Sequence, residues 1–254
     1  HLTDLDGTLG RIADLGIEAV EPFSVLDRPQ ELAAALRAHG LSAPTAHAPF
    51  LSDEIEYMGR TVALPPAEMM FGAALAVGAQ TLFDPMVPAH RWTTREDVEA
   101  TARRLNTAAE QAAGLGLDVG LHHHSFEFHM AIDGIPAYEY LVGLLDPRVV
   151  LEVDVFYAAV AGQDVAALIE RLGDRVRALH IKDGPVDVDP FASGVHDSST
   201  AVVQCAAGEG SVPLTEALAA APATRLDIIE FENVAGDVFE AIERSICFLR
   251  APVR

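Results

Sequence analysis

The run Gly120-Leu121-His122-His123-His124-Ser125-Phe126-Glu127-Phe128 sets three histidines and a glutamate behind a short apolar segment, Leu117–Leu121, that reads as a buried strand. Further along, Asp154 closes Val149-Val150-Leu151-Glu152-Val153, His180 lies near the end of Val176–Ile181, and Glu230 near the end of Leu226–Phe231. Glu21, His47 and Asp84 close three shorter segments in the same way. Imidazoles and carboxylates gathered at strand ends suit a bound divalent cation, and the histidine run with Asp154, His180 and Glu230 is the strongest such set. A mixed shell of this kind takes manganese, magnesium, cobalt or zinc, and the residues do not choose between them.

Strand alternation adds detail. It puts Glu152 and Asp154 on one face, and His180 and Lys182 on one face. Two acids on a buried strand face repel unless a cation or hydrogen bonds offset them. Alternation also sends His122 and His124 to one side and His123 to the other, so His123 is expected to serve the structure. Lys182 is the only lysine among 17 basic residues. Two readings stand for it: a group that grips substrate or an oxyanion, and a surface partner of Asp183.

The elements that must position these residues alternate from start to finish, the pattern of a parallel sheet with covering helices. Helices are expected at Leu5–Leu15, Pro29–His39, Pro66–Val77, Thr94–Ala113, Tyr138–Leu145, Val165–Leu172, Pro213–Ala220 and Val238–Leu249. Strands are expected at Ala19–Glu21, Ser42–His47, Gln80–Phe83, Leu117–Leu121, Val149–Asp154, Val176–Ile181 and Leu226–Phe231. Seven strands are one short of a closed (β/α)8 barrel, and the missing one would precede residue 1. The reading is a single domain over residues 1–254, a TIM barrel lacking its first strand in this chain, with a long loop from Gly184 to Gly210. In such a barrel the chemistry belongs at the C-terminal ends of the strands.

Composition narrows the function. A chain of 254 residues, half of them hydrophobic, can bury one sizeable core. The formal charge of −21 argues against phosphate backbones and anionic lipid as partners. Two distant cysteines make no disulfide framework, no apolar run reaches transmembrane length, and the start is not a signal peptide. The expectation is a cytoplasmic α/β enzyme without nucleic-acid or membrane partners, compatible with a homo-oligomer.

These motifs resemble the xylose isomerase-like TIM-barrel superfamily, in particular the sugar phosphate isomerases/epimerases. The matching pieces are Gly16-Ile17-Glu18-Ala19-Val20-Glu21, the histidine run, Leu151-Glu152-Val153-Asp154-Val155-Phe156-Tyr157, Leu179-His180-Ile181-Lys182-Asp183, Ile228-Ile229-Glu230 and the turn Gly208-Glu209-Gly210. The resemblance implies a divalent metal held by Glu127, Asp154, His180 and Glu230. Many relatives carry the first glutamate at the strand end, where this chain has His122, so His122 and His124 stay open as alternatives to Glu127.

The implied chemistry is proton transfer next to a carbonyl of a sugar or keto-sugar, through an enediolate. Glu127 and Glu230 would be the acid/base pair, with Lys182 and His124 as further catalytic groups. Glu21, His47, His122 and Glu152 would contact the small-molecule sugar substrate. The same enolate could instead expel a leaving group, which makes a dehydratase or lyase on a keto-sugar, keto-glycoside or cyclitol the first alternative. A non-catalytic sugar-binding barrel is the second. A nuclease of the same superfamily fits poorly with the charge and the single lysine.

Overall fold

The structure, a computed structural model, describes residues 4–23, 25–57, 60–194, 202–222 and 225–251. Residues 195–201 of the expected long loop therefore lie outside the described residues. The chain gathers into two compact units.

The first unit comprises His1–Pro88, Ala100–Leu121 and Leu145–Val149. Helix α1 (Leu5–Asp14) begins where the Asp4 side chain accepts from the Gly7 amide at 2.9 Å, which satisfies one of the amides a helix start leaves over. Its Leu9 packs with Leu36 of α2 (Pro29–Ala38) and with Leu41 and Ala43. The strand expected at Ala19–Glu21 is only a single parallel bridge, Ala19 to Ser42. Pro22 has no amide to extend a ladder, which stops it there.

Strand β1 (Thr45–His47) follows, then a hairpin of β2 (Glu54–Tyr57) and β3 (Arg60–Ala63) that the sequence patterning did not reveal. Helix α3 (Ala67–Val77) ends at Gly78, whose φ of 94° suits a residue without Cβ. Strand β4 (Thr81–Asp84) is buried throughout and pairs in parallel with β1 on one side and β5 (Asp118–His122) on the other. Helix α4 (Arg95–Ala113) precedes β5; its first turn counts with the second unit and the rest with the first.

The second unit comprises Ala89–Glu99, His122–Leu144 and Val150–Arg254. After β5 the chain makes a 3-10 turn at Phe126–Phe128 and a small hairpin of β6 (Ala131–Ile132) and β7 (Ile135–Pro136), then enters α5 (Ala137–Leu144). Three parallel strands form the centre: β8 (Val150–Asp154), β9 (Val176–Ile181) and β10 (Leu226–Ile229). Helix α6 (Val155–Val160) starts abruptly from β8, with Asp154 as its cap. Helices α7 (Val165–Leu172), α8 (Leu214–Ala220) and α9 (Val238–Arg250) complete the unit, and α7 packs on α8. Apolar residues recur along α7 at helical spacing, and Val165, Leu168, Ile169 and Leu172 make its buried face.

Register decides what meets at the strand ends. Asp154 of β8 lies opposite His180 of β9, and the Glu230 amide just past β10 bonds to the Ile181 carbonyl at 3.3 Å. The part of the loop after β9 that is described is pinned by Asp183. Its carboxylate accepts four backbone amides: Gly184 at 2.8 Å, Gly208 at 2.9 Å, Gly210 at 3.0 Å and Val212 at 3.1 Å. A Cβ at Gly210 would collide with that carboxylate and with the Gly184 amide, which explains the glycine. No helix among the described residues is long and apolar enough to cross a membrane.

Candidate metal centre

Asp154, His180 and Glu230 come together in the second unit, with one ligand-competent atom from each lying within 4.8 Å of the others. Asp154 is fully buried and divides its two oxygens. Oδ1 accepts the Tyr157 amide at 2.9 Å and caps α6, while Oδ2 makes no hydrogen bond and faces the cluster. Glu230 Oε2 lies 2.5 Å from His180 Nδ1, and Glu230 takes a side-chain hydrogen bond from His180. The other ring nitrogen of His180, Nε2, is 3.3 Å from Glu152 Oε2. At this distance a hydrogen on Nδ1 bridges to Glu230; a divalent ion would take that hydrogen's place, with Glu152 steadying the ring from Nε2.

Lys182, 1% exposed, sits among these acids. Its Nζ is 3.0 Å from Asp154 Oδ2, 2.9 Å from Glu230 Oε2 and 2.8 Å from Glu232 Oε1. It also lies 4.6 Å from the centre of the Tyr157 ring, a cation–π contact. Of its two readings, the surface pair with Asp183 is ruled out by this burial and by the four amides that occupy Asp183. Burial alone would lower the Lys182 pKa, but Asp154, Glu230 and Glu232 outweigh it and hold the ammonium well above the ordinary lysine value.

The acids around it respond differently. Burial pushes Asp154 above the usual carboxylate range, against the pull of Lys182 and His180. For Glu230 burial pushes the same way, yet Lys182 and His180 prevail and hold it well below the ordinary value. The difference follows hydrogen bonding: Glu230 receives side-chain bonds from both His180 and Lys182, whereas Asp154 receives only the Tyr157 backbone amide. Glu232 is also held low by Lys182, against its own burial.

Three carboxylates share one ammonium here, an excess of two negative charges in a poorly solvated place. A divalent cation offsets such an excess. The donor set fits one: Asp154, His180 and Glu230 each offer a donor atom within 4.8 Å of the others, and Glu152 stands behind the imidazole, a combination suited to manganese, magnesium, cobalt or zinc.

The remaining candidates are placed as follows. Glu127 is buried but outside the group of three; its Oε2 accepts the His124 amide at 3.0 Å, and its Oε1 is 3.8 Å from His124 Nδ1. His122 Nδ1 is 3.0 Å from Glu152 Oε2, so Glu152 holds both His122 and His180. His124 faces Phe191 at 4.3 Å and Tyr157 at 5.2 Å between ring centres, and stacks with Phe126. His123 turns away, as alternation requires, and packs on Phe128 and Tyr138. In the first unit, His47 Nε2 and Glu21 Oε1 are 3.0 Å apart and both side chains are buried. Asp84 there anchors loops, accepting the Leu51 amide at 2.6 Å and the Met86 amide at 2.9 Å.

Two participants were missed by the sequence reading. Tyr157 donates its hydroxyl to Glu232 Oε2 at 2.6 Å, and Glu232 in turn holds Lys182. The signal for Glu232 was present: it follows Glu230 by two residues, the spacing that puts both on one side of an extended chain. Tyr157 gave no comparable signal, because its place depends on α6 starting at Asp154.

Comparison with known proteins bears on the family and the fold. The model of the family described as "Xylose isomerase-like TIM barrel" matches residues 9–249. No curated protein matches significantly. Among solved structures, a sugar phosphate isomerase/epimerase from Parabacteroides distasonis ATCC 8503 is 19% identical, with a TM-score of 0.74 over 99% of this chain and 90% of its own. The probable 3-DHS dehydratase AsbF of Bacillus anthracis, involved in petrobactin synthesis, is 11% identical, with a TM-score of 0.73 over 96% of this chain and 93% of its own. An L-ribulose 3-epimerase is 15% identical, with a TM-score of 0.67 over 97% and 88%. At these identities the structures speak for the fold, while the family model spans most of the chain: the protein belongs to the xylose isomerase-like TIM barrel family.

Proposed function

We propose that the chain is a divalent-metal-dependent isomerase or epimerase that moves a proton next to the carbonyl of a sugar or keto-sugar. The observation that carries this reading is the set of three carboxylates sharing one buried ammonium, with Asp154 and Glu230 gathered beside His180. Asp154, His180 and Glu230 would hold the ion, with Glu127 as the further ligand. When bound, a divalent ion supplies the positive charge that polarises a substrate carbonyl and acidifies the adjacent C–H.

The protein's own groups do the rest. Glu230 is held ionised by Lys182 and His180, so it stands ready to accept the proton. Lys182 is held charged and offers its ammonium to the oxygen on which negative charge develops. Glu127, seated on the His124 amide, returns the proton from the other side with His124 beside it. Glu152 fixes the ring planes of His122 and His180. The substrate is a small sugar, and free Cys205 and Cys247 suit a reducing, cytoplasmic setting.

The test is a panel of keto-sugars incubated with metal-loaded protein in deuterated water. Solvent deuterium at one carbon next to the carbonyl, lost when metal is removed, is the expected outcome. Absence of exchange from every sugar, with metal shown to be bound, overturns the reading.

A second outcome of the same chemistry, elimination of a leaving group, is favoured by the rings that gather round His124. Phe126, Tyr157 and Phe191 form with it a wall that would receive a flat or apolar leaving group. The dehydratase among the structural relatives points the same way. An unsaturated product or a released aglycone, in place of an epimer, selects this outcome.

A further inference from the structure

Lys182 and a divalent ion would ask for the same two atoms. Its ammonium faces Asp154 Oδ2 at 3.0 Å and Glu230 Oε2 at 2.9 Å, and these oxygens belong to the two carboxylates of the metal-competent group. Like charges repel, most strongly where water is scarce, so the ammonium and the ion cannot share both oxygens at full strength. Lys182 has two further contacts that lie outside the metal-competent group: Glu232 Oε1 at 2.8 Å and the face of Tyr157 at 4.6 Å.

Glu232 is built to keep that place. Tyr157 donates to its other oxygen at 2.6 Å, and its backbone amide donates to the Gln204 side-chain oxygen at 2.8 Å. Gln204 is itself buried, and its amide bonds to the Asn233 carbonyl at 2.8 Å. None of these bonds depends on Lys182. A flexible four-carbon stem with three donors can give up two partners and keep the third, which a guanidinium fork could not do as readily.

We infer that Glu232 is a positioning residue of the metal centre: it seats the Lys182 ammonium when a divalent ion takes Asp154 and Glu230, and it sets metal affinity through that lysine. This rests on the metal-dependent reading above and adds to it a role for two residues that bind no metal. Without Glu232 the ammonium has no second carboxylate and competes harder for the first two. Without Lys182 there is nothing to seat, and Glu232 loses most of its influence.

The experiment is calorimetric titration of Mn2+ into metal-stripped full-length protein, for the wild type, Glu232→Gln, Lys182→Met and the double variant. Glu232→Gln is expected to weaken binding about tenfold and Lys182→Met to tighten it about tenfold. In the Lys182→Met background, adding Glu232→Gln is expected to change affinity by less than about threefold.

Equal weakening by Glu232→Gln in both backgrounds overturns the inference, because the carboxylate would then act on the metal by its own charge. So does the absence of any effect in either background. Lys182→Met leaves three acids crowded and can lower stability, so Lys182→Gln is measured alongside it. Melting curves with and without Mn2+ give a second readout, in which both lysine variants gain more from Mn2+ than the wild type does. No Mn2+ binding to the wild type overturns the metal reading and this inference together. Binding with an additive cycle overturns only this inference.

Discussion

Lys182 and Asp183 are neighbours in sequence, buried side by side, and surrounded in opposite ways. Asp183 points into the loop after β9, where four backbone amides meet its two oxygens between 2.8 and 3.1 Å. Lys182 points to the other side of the strand, where three carboxylates have one ammonium between them. Both regions bury negative charge. In one the backbone answers it completely and the result is a fixed loop. In the other, Asp154 and Glu230 must share the single ammonium with Glu232, and Asp154 is pushed toward protonation by its own burial. A buried carboxylate by itself marks neither structure nor function; what answers its charge decides.

The largest expected effect separates the two regions by activity. Glu230→Gln removes the proton acceptor and a metal ligand while keeping the shape. Turnover of a substrate found by deuterium exchange is expected to fall about 10²–10⁴-fold, the range for a positioned acid or base. The protein should still fold, because Lys182 keeps Asp154 and Glu232 as partners. Steady-state kinetics and a melting curve check both halves. Intact turnover would remove Glu230 from the mechanism.

The next effects should appear in stability and leave the metal centre alone. Asp183→Asn keeps one acceptor oxygen and turns an NH2 group toward amides that also donate. The expected loss is about 3 kcal/mol, from charge-assisted bonds lost and donors left facing donors. Gly210→Ala attacks the same place from the other side, since its methyl would meet the Asp183 carboxylate and the Gly184 amide. Its loss should lie in the upper part of the ~1–3 kcal/mol typical of overpacking. Urea unfolding measures both, and Mn2+ titration of the folded protein should give an unchanged affinity. A large change in affinity would mean that the loop and the cluster are one system.

The contrast also explains what could be read in advance. Apolar runs ending in Asp154, His180 and Glu230 showed the strands and the ligand-bearing ends, because a buried parallel strand is apolar until it reaches its site. Ala19–Glu21 read equally well as a strand but forms one bridge, since a three-residue run ending at Pro22 cannot hold a ladder. The hairpin β2–β3 escaped because its β3 residues are exposed and carry no apolar alternation. Within the site, the contacts set by an abrupt helix start or a tight turn were the hard ones. Tyr157 meets Glu232 only because α6 starts at Asp154, and Glu127 bonds to the His124 amide through the tight turn at Phe126–Phe128. Patterns along a chain report faces and ends; which side chain answers which charge is decided by register and turns.

His123 offers a third case between the two regions, and the smallest effect. Its Nδ1 donates to the His124 carbonyl at 2.9 Å, while Nε2 makes no hydrogen bond against Phe128 and Tyr138. One half of the ring is answered by the backbone, as at Asp183, and the other half by nothing ionic. Burial lowers its pKa from 6.5 to about 4, against the pull of Glu127. The unfolded chain therefore takes up a proton first as pH falls. The stability that rests on the neutral ring is complete above about pH 6.5, and it drains away down to about pH 4, where the folded form takes up the proton too. Between pH 7 and 5 the loss from this residue should be about 2 kcal/mol. Urea unfolding of metal-stripped protein at both pH values, compared with His123→Asn, isolates it from the other titrating groups. The variant will differ in absolute stability because its packing on Phe128 and Tyr138 changes, so the change with pH is the quantity to compare. If that change is as large in His123→Asn as in the wild type, the imidazole is not held neutral by burial, and His123 belongs with the charged cluster rather than with the answered one.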